Sequence, residues 1–255
     1  MTKKTRRTER DRDRKTKMHH AHGNVVHPAF EDSDWHPLAE QIDRNRDQRY
    51  VKTLKPRTDG QRELMEAIAS HNLTMAIGPA GTGKTYLAIA AAVEALEAGK
   101  VERIILSRPA MEAGESLGFL PGDMHEKMAP YLRPLYDALG DRMGGKRVKQ
   151  YLEEGTIEIA PIGFMRGRTL NNAFVEIDEA QHCTYGQLNS ILCRLGWHVT
   201  MVVTGDPQQS DLLEGMSGLA EIAARLEDLP NIAVVRLAQT DIVRHPLVAE
   251  MLEVL

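Results

Sequence analysis

Eight consecutive residues carry the clearest chemistry in the chain: Gly78, Pro79, Ala80, Gly81, Thr82, Gly83, Lys84 and Thr85. They satisfy G-x-x-x-x-G-K-[ST] at every fixed position, after an apolar run and before a helix-forming one. The glycines let backbone N–H groups turn inward around phosphate oxygens. A helix starting near Lys84 adds the positive end of its dipole. Lys84 is expected to neutralise the β- and γ-phosphates, and the Thr85 hydroxyl to ligate Mg²⁺.

A second signal lies about ninety residues on, where the apolar run Ala173-Phe174-Val175-Glu176-Ile177 ends in Asp178-Glu179-Ala180-Gln181. Two carboxylates at a strand end suit phosphoryl transfer to water. Asp178 is expected to hold Mg²⁺, directly or through water, and Glu179 to polarise the attacking water. Taken alone the pattern is a common strand end; the phosphate loop before it gives it meaning. Glu176 is unusual here, because a strand covered on both faces must give a carboxylate a partner. The run Met201-Val202-Val203-Thr204 leads into Gly205-Asp206-Pro207-Gln208-Gln209. Thr204, Asp206 and Gln209 are candidate γ-phosphate sensors, although a Gly-Asp-Pro turn on its own is ordinary.

Gln61 precedes Gly78 by 17 residues. An amide offers one donor edge and one acceptor edge, so it could read an adenine or simply sit at the surface. Charge on a phosphoryl transition state calls for an arginine. Arg108, Arg166, Arg168 and Arg244 are candidates in loops, in cis or from a neighbouring subunit.

These residues need elements to position them. A helix is predicted from Thr58 or Asp59 through Ala69, then a strand over Leu73–Ile77 and a helix over Thr85–Glu97 closed by Gly99. Strands are predicted over 102–107, 156–160, 173–178, 198–204 and 232–237. Helices are predicted over 124–139, 146–153, 185–195, 218–226 and 246–255, with Pro130 and Pro134 breaking or kinking the first of these. Strands alternating with helices argue for an α/β fold, a parallel sheet covered on both faces.

Of the 255 residues, 42% are hydrophobic, enough for a core without disulfides or metal. The two cysteines, Cys183 and Cys193, form no metal-binding pair, and a reducing, cytoplasmic setting is expected. No apolar run is long enough to span a membrane, and no signal peptide is visible. The net charge of -4 hides an asymmetry: residues 1–17 hold nine basic and three acidic residues, a balance of +6. Residues 1–54 are expected to be a flexible basic arm that could touch nucleic acid, and 55–255 a single domain. His19, His20, His22 and His27 lie in that arm and read as solvated rather than as a metal site.

Taken together, the motifs resemble the PhoH family of phosphate-starvation-linked P-loop ATPases. The segments that carry the resemblance are GPAGTGKT (78–85), SRPAMEAGESLGFLPGDMHEKMAPYLRPLYDAL (107–139), MRGRTL (165–170), FVEIDEAQ (174–181), TGDPQQSDL (204–212) and DIVRHPLV (241–248). The loop 107–139 and MRGRTL are far more specific than the phosphate loop. DEAQ followed by TGDPxQ is similar to the first RecA-like domain of superfamily-one RNA helicases. The resemblance implies a RecA-like sheet, binding and hydrolysis of ATP, a ring-shaped homo-oligomer, RNA as partner, and Gln61 at the adenine position. Lys84, Glu179, Gln209 and Arg244 are then the expected catalytic set. Arg244 is the first candidate for an arginine finger supplied in trans, because no second lobe is expected after His245. Glu176 departs from the family's wholly apolar strand, and the short arm carries over no nuclease. A nucleotide-dependent switch or assembly protein is the competing expectation; a small-molecule kinase fits DEAQ and TGDPQQ less well.

Overall fold

The computed structural model describes residues 54–109, 124–165, 167–213 and 215–243, with backbone alone for 124–130 and 164. The predicted arm, the loop 110–123 and the terminal helix after 243 fall outside the described residues, as do Arg166 and Arg244.

In chain order the elements are α1 (Asp59–Ser70), β1 (Leu73–Ile77), α2 (Lys84–Glu97), β2 (Arg103–Arg108), α3 (Met124–Met143), α4 (Gly145–Glu153), β3 (Ile157–Pro161), β4 (Ala173–Ile177), α5 (Tyr185–Leu192), β5 (Thr200–Gly205), α6 (Leu219–Leu226) and β6 (Ile232–Arg236). Six strands form one sheet in the order β3-β2-β4-β5-β1-β6. Every pairing is parallel. Strand geometry turns alternate residues to opposite faces, and the core divides accordingly. Ala76, Leu106, Phe174 and Val202 pack with Leu64 of α1, Leu87 of α2, Leu135 of α3 and Val148 of α4. Met75, Ile105, Val175 and Val203 pack with Leu188 of α5 and Ile222 of α6. Burial on both faces explains why these strands read as unbroken apolar runs.

Strand order puts the two expected motifs side by side. β4 and β5 are neighbours, and β5 lies against β1. The phosphate loop after β1 and the carboxylates after β4 therefore open on the same edge of the sheet, at the strands' C-terminal ends, where α/β folds bind ligands. Two expectations change. α3 runs as one 20-residue helix through Pro130 and Pro134. Each proline costs the helix one backbone bond, but Leu132, Leu135, Tyr136, Leu139 and Met143 are buried in the core and hold it in place. α5 stops at Leu192, because Arg194 and Leu195 turn to bridge Leu170 instead. Cys183 is buried, Cys193 is exposed, and both thiols are free.

Candidate active site

The loop leaves β1 through Gly78, whose φ of 152° and close approach to Leu237 demand glycine. A Cβ there would lie 2.4 Å from the Leu237 carbonyl oxygen. Gly83, at φ 86°, turns the chain into α2, so that Lys84 is its first residue. Lys84 folds back under the loop. Its Nζ donates to the carbonyl oxygens of Gly78 at 2.6 Å and Pro79 at 2.8 Å. Burial holds its pKa below the ordinary lysine value, opposed by the charges of Asp206, Glu179 and Asp178. A lysine held under a glycine-rich turn at the head of a helix is the composition of a phosphate-binding loop.

Across the sheet edge, three side chains fall in register: Thr204 opposite Ala76 on β5, Asp178 just past β4, and Arg108 at the end of β2. The Asp178 N–H continues the ladder to the Ser107 carbonyl at 2.8 Å, which fixes where its side chain emerges. Asp178 Oδ1 accepts from Thr85 Oγ1 at 2.7 Å and from Thr204 Oγ1 at 2.8 Å. Burial raises the Asp178 pKa, as does the neighbouring Glu179, while Thr85, Arg108 and Thr204 pull it down. A hydroxyl and a carboxylate touching at the head of a helix are hard oxygen donors of the kind Mg²⁺ accepts. Among the described residues no group of three or more His, Cys, Asp and Glu side chains could hold a metal unaided.

Glu179 follows Asp178 in the left-handed region, at φ 54°. Its Oε1 accepts from Arg108 at 2.9 Å and its Oε2 from the Gln181 amide. The Gln181 side-chain oxygen Oε1 in turn accepts the Asp206 N–H at 3.1 Å. The turn after β5 is thus tied to the carboxylate pair through one glutamine. Gly205 permits this closeness; a Cβ there would lie 2.8 Å from Gln181 Oε1 and 2.6 Å from Leu219. Asp206 also caps its own turn, accepting from the Gln208 N–H, and its carbonyl accepts from the Gln209 N–H. The Gln209 side chain is exposed at the rim.

Gln61 lies against the phosphate loop with both edges of its amide engaged. Nε2 donates to the Thr82 carbonyl at 3.0 Å, and Oε1 accepts from the Arg57 N–H at 2.9 Å. Arg168 pairs with Glu158 through both its terminal nitrogens, on the edge strand β3. Glu176 is fully buried on β4, and neither oxygen has a hydrogen-bond partner among the described residues. Burial pushes its pKa well above the usual carboxylate range, which favours the protonated form.

Sequence reasoning missed two connections. Asp241 accepts from the Gly60 and Ala238 N–H groups, and the Val243 N–H donates to the Gly81 carbonyl. The segment leading to Arg244 is thereby stitched to the head of α1 and to the phosphate loop. Asp241 thereby holds the head of α1. The other missed link is the Arg108–Glu179 pair. Neither leaves a local trace in the sequence, since the partners lie 181 and 71 residues apart.

Comparison with known proteins gives the family of the chain. A PhoH-like protein of Bacillus subtilis is 53% identical over 203 residues, covering 79% of this chain and 64% of its own. Protein PhoH of Escherichia coli is 45% identical over 211 residues, covering 82% of this chain and 60% of its own. The chain thus matches about three fifths of the length of these curated relatives. Among solved structures, the Pif1 helicase of Candida albicans is a distant likeness: 15% identity, TM-score 0.37, 72% of this chain and 41% of that one. The family described as PhoH-like protein matches residues 53–255, which take in the phosphate loop, the carboxylate pair and the Gly205–Gln209 turn alike, and the chain belongs to it.

Proposed function

We propose that the protein hydrolyses ATP with Mg²⁺ and does so on or with RNA. The observation that carries the first half is the contact between Thr85 of the phosphate loop and Asp178, with Lys84 and Glu179 on either side. Lys84, already turned into the loop, meets the β- and γ-phosphates at its mouth. Thr85 and Asp178 would hold Mg²⁺, which neutralises phosphate charge when bound. Glu179 accepts a hydrogen bond from the attacking water and orients it toward the γ-phosphorus. The Gln181 bridge to Asp206 links that carboxylate to the turn carrying Gln209.

What supports the RNA half is the +6 balance of residues 1–17, which suits contacts to a phosphate backbone. No described helix is long and apolar enough to cross a membrane, and two free thiols suit a reducing cytoplasm. A ring of identical subunits belongs to the same proposal. The nucleotide edge of a single sheet is open on one side, and a neighbour's Arg244 would supply positive charge there. ATP turnover of the purified protein, with and without single-stranded RNA, together with its mass in solution with ATP, tests all three parts. Turnover at background removes the ATPase, a rate indifferent to RNA removes the partner, and a monomer at full rate removes the ring.

A further inference from the structure

Arg108 was one of four arginines that could neutralise transition-state charge. Its surroundings give it a different task. The guanidinium is a planar fork, and all three of its nitrogens face a partner. One terminal nitrogen donates to Glu179 Oε1 at 2.9 Å, the other donates to the Tyr131 carbonyl oxygen on α3 at 2.7 Å, and Nε lies 3.8 Å from Asp178 Oδ2. The side chain is only 17% exposed. Two of its five N–H donors are committed to Glu179 and Tyr131, so protein groups set the direction of the fork.

Glu179, in contrast, needs support. A non-glycine residue at φ 54° is in a region that costs about 1–2 kcal/mol. Its carboxylate is one-third exposed, so packing does not hold it. Two struts do: Gln181, fixed by the β5 turn through Asp206, and Arg108, fixed by α3 through Tyr131. An ion pair with a planar fork sets direction as well as distance.

We infer that Arg108 is a positioning residue for Glu179, aligning its carboxylate for the attacking water and making that alignment depend on the placement of α3. This rests on the reading of Glu179 as the water-activating carboxylate. A residue acting through Glu179 has no effect left once Glu179 is disabled, whereas one acting on phosphate keeps its own. The experiment is a double-mutant cycle on ATP turnover with Arg108→Ala, Glu179→Gln and the pair, each checked by thermal melt. Arg108→Ala lowers kcat about tenfold and leaves the KM for ATP within about twofold, the pattern of a contact used in the transition state. The double variant falls within about twofold of Glu179→Gln alone. Arg108→Lys keeps the charge beside Glu179 and loses the fork, so its kcat lies between wild type and Arg108→Ala; it also decides the matter if the alanine variant does not fold. Losses that multiply in the double variant, or an Arg108→Lys or Arg108→Ala protein with wild-type kcat, overturn the inference. Full turnover in Glu179→Gln is a separate failure: it removes the base assignment itself.

Discussion

The phosphate loop and the carboxylate row meet at Thr85, yet they are put together differently. The loop is one continuous segment, and its internal bonds run between residues two to six apart, as from Lys84 to Gly78, Pro79 and Thr82. The row has no such continuity. Arg108, Asp178 and Thr204 come from three strands and touch only because β2, β4 and β5 are neighbours in the sheet. A local device survives small shifts of the sheet, whereas a device spread over three strands registers them. On the proposed ATPase reading, that difference assigns binding to the loop and makes hydrolysis, carried by the row, answer to the rest of the molecule.

The largest effect tests the loop. Lys84→Ala removes the cation at its centre, and turnover falls to background, a loss of about a thousandfold or more by analogy with other positive charges on a transferred phosphate. A labelled ATP analogue also binds weakly. Next comes the row. Glu179→Gln keeps size and hydrogen-bonding reach but loses the charge that polarises water, so turnover drops about a hundredfold or more. Analogue affinity stays within about threefold of wild type. If the two variants lose binding and turnover in equal measure, the division between loop and row disappears.

The same division governs what could be read from sequence. The loop, its flanking strand and its helix were legible because spacing alone specifies them, and the alternation of strands and helices gave the parallel sheet. The carboxylate pair was legible as residues but not as a network. Nothing near Arg108 or Glu179 announces their pairing, because it depends on β2 lying next to β4. Pro130 and Pro134 gave the wrong local signal for α3, since core packing outweighed two missing backbone bonds. Asp241 closes on Gly60 across the fold, a contact that no local pattern announces. Glu176 was visible as an anomaly, and the structure leaves it one.

That anomaly sharpens the comparison, because Glu176 lies on the sheet face that carries Asp178, within the core beneath the row. With its pKa raised by burial, its carboxyl keeps a proton in the fold at pH values above 4.5 where the unfolded chain has lost it. Unfolding then releases a proton, so stability falls as pH rises from about 4.5 toward the raised folded-state pKa, by up to about 1.4 kcal/mol per pH unit. Glu176→Gln removes this slope, leaving a smaller one of the same sign from Asp178. In melts without nucleotide, the variant gains on wild type as pH rises from 5.5 to 8, by about 2–4 °C for each kcal/mol recovered. A constant difference in Tm across that range would mean that Glu176 is ionised in the fold.

The smallest effect belongs to Gln61, where loop and base recognition compete for one side chain. The resemblance to the family puts it at the adenine. The structure commits its donor edge to the Thr82 carbonyl and its acceptor edge to the Arg57 N–H. A bidentate reading of adenine would use both edges, which already hold protein partners. As a strut, Gln61 steadies the loop under any nucleotide. Gln61→Ala then raises KM for ATP and for GTP by the same factor, about 2–10, the range expected from losing one or so net hydrogen bonds. As a reader it would discriminate, because a site built to bond a base penalises the base that cannot match it. The alanine variant would then lose ATP and leave GTP untouched. Comparing the ratio of kcat/KM for the two nucleotides in wild type and variant separates these outcomes without a structure of the bound state. An unchanged ratio places Gln61 with the loop; a ratio that falls toward one moves it to the base.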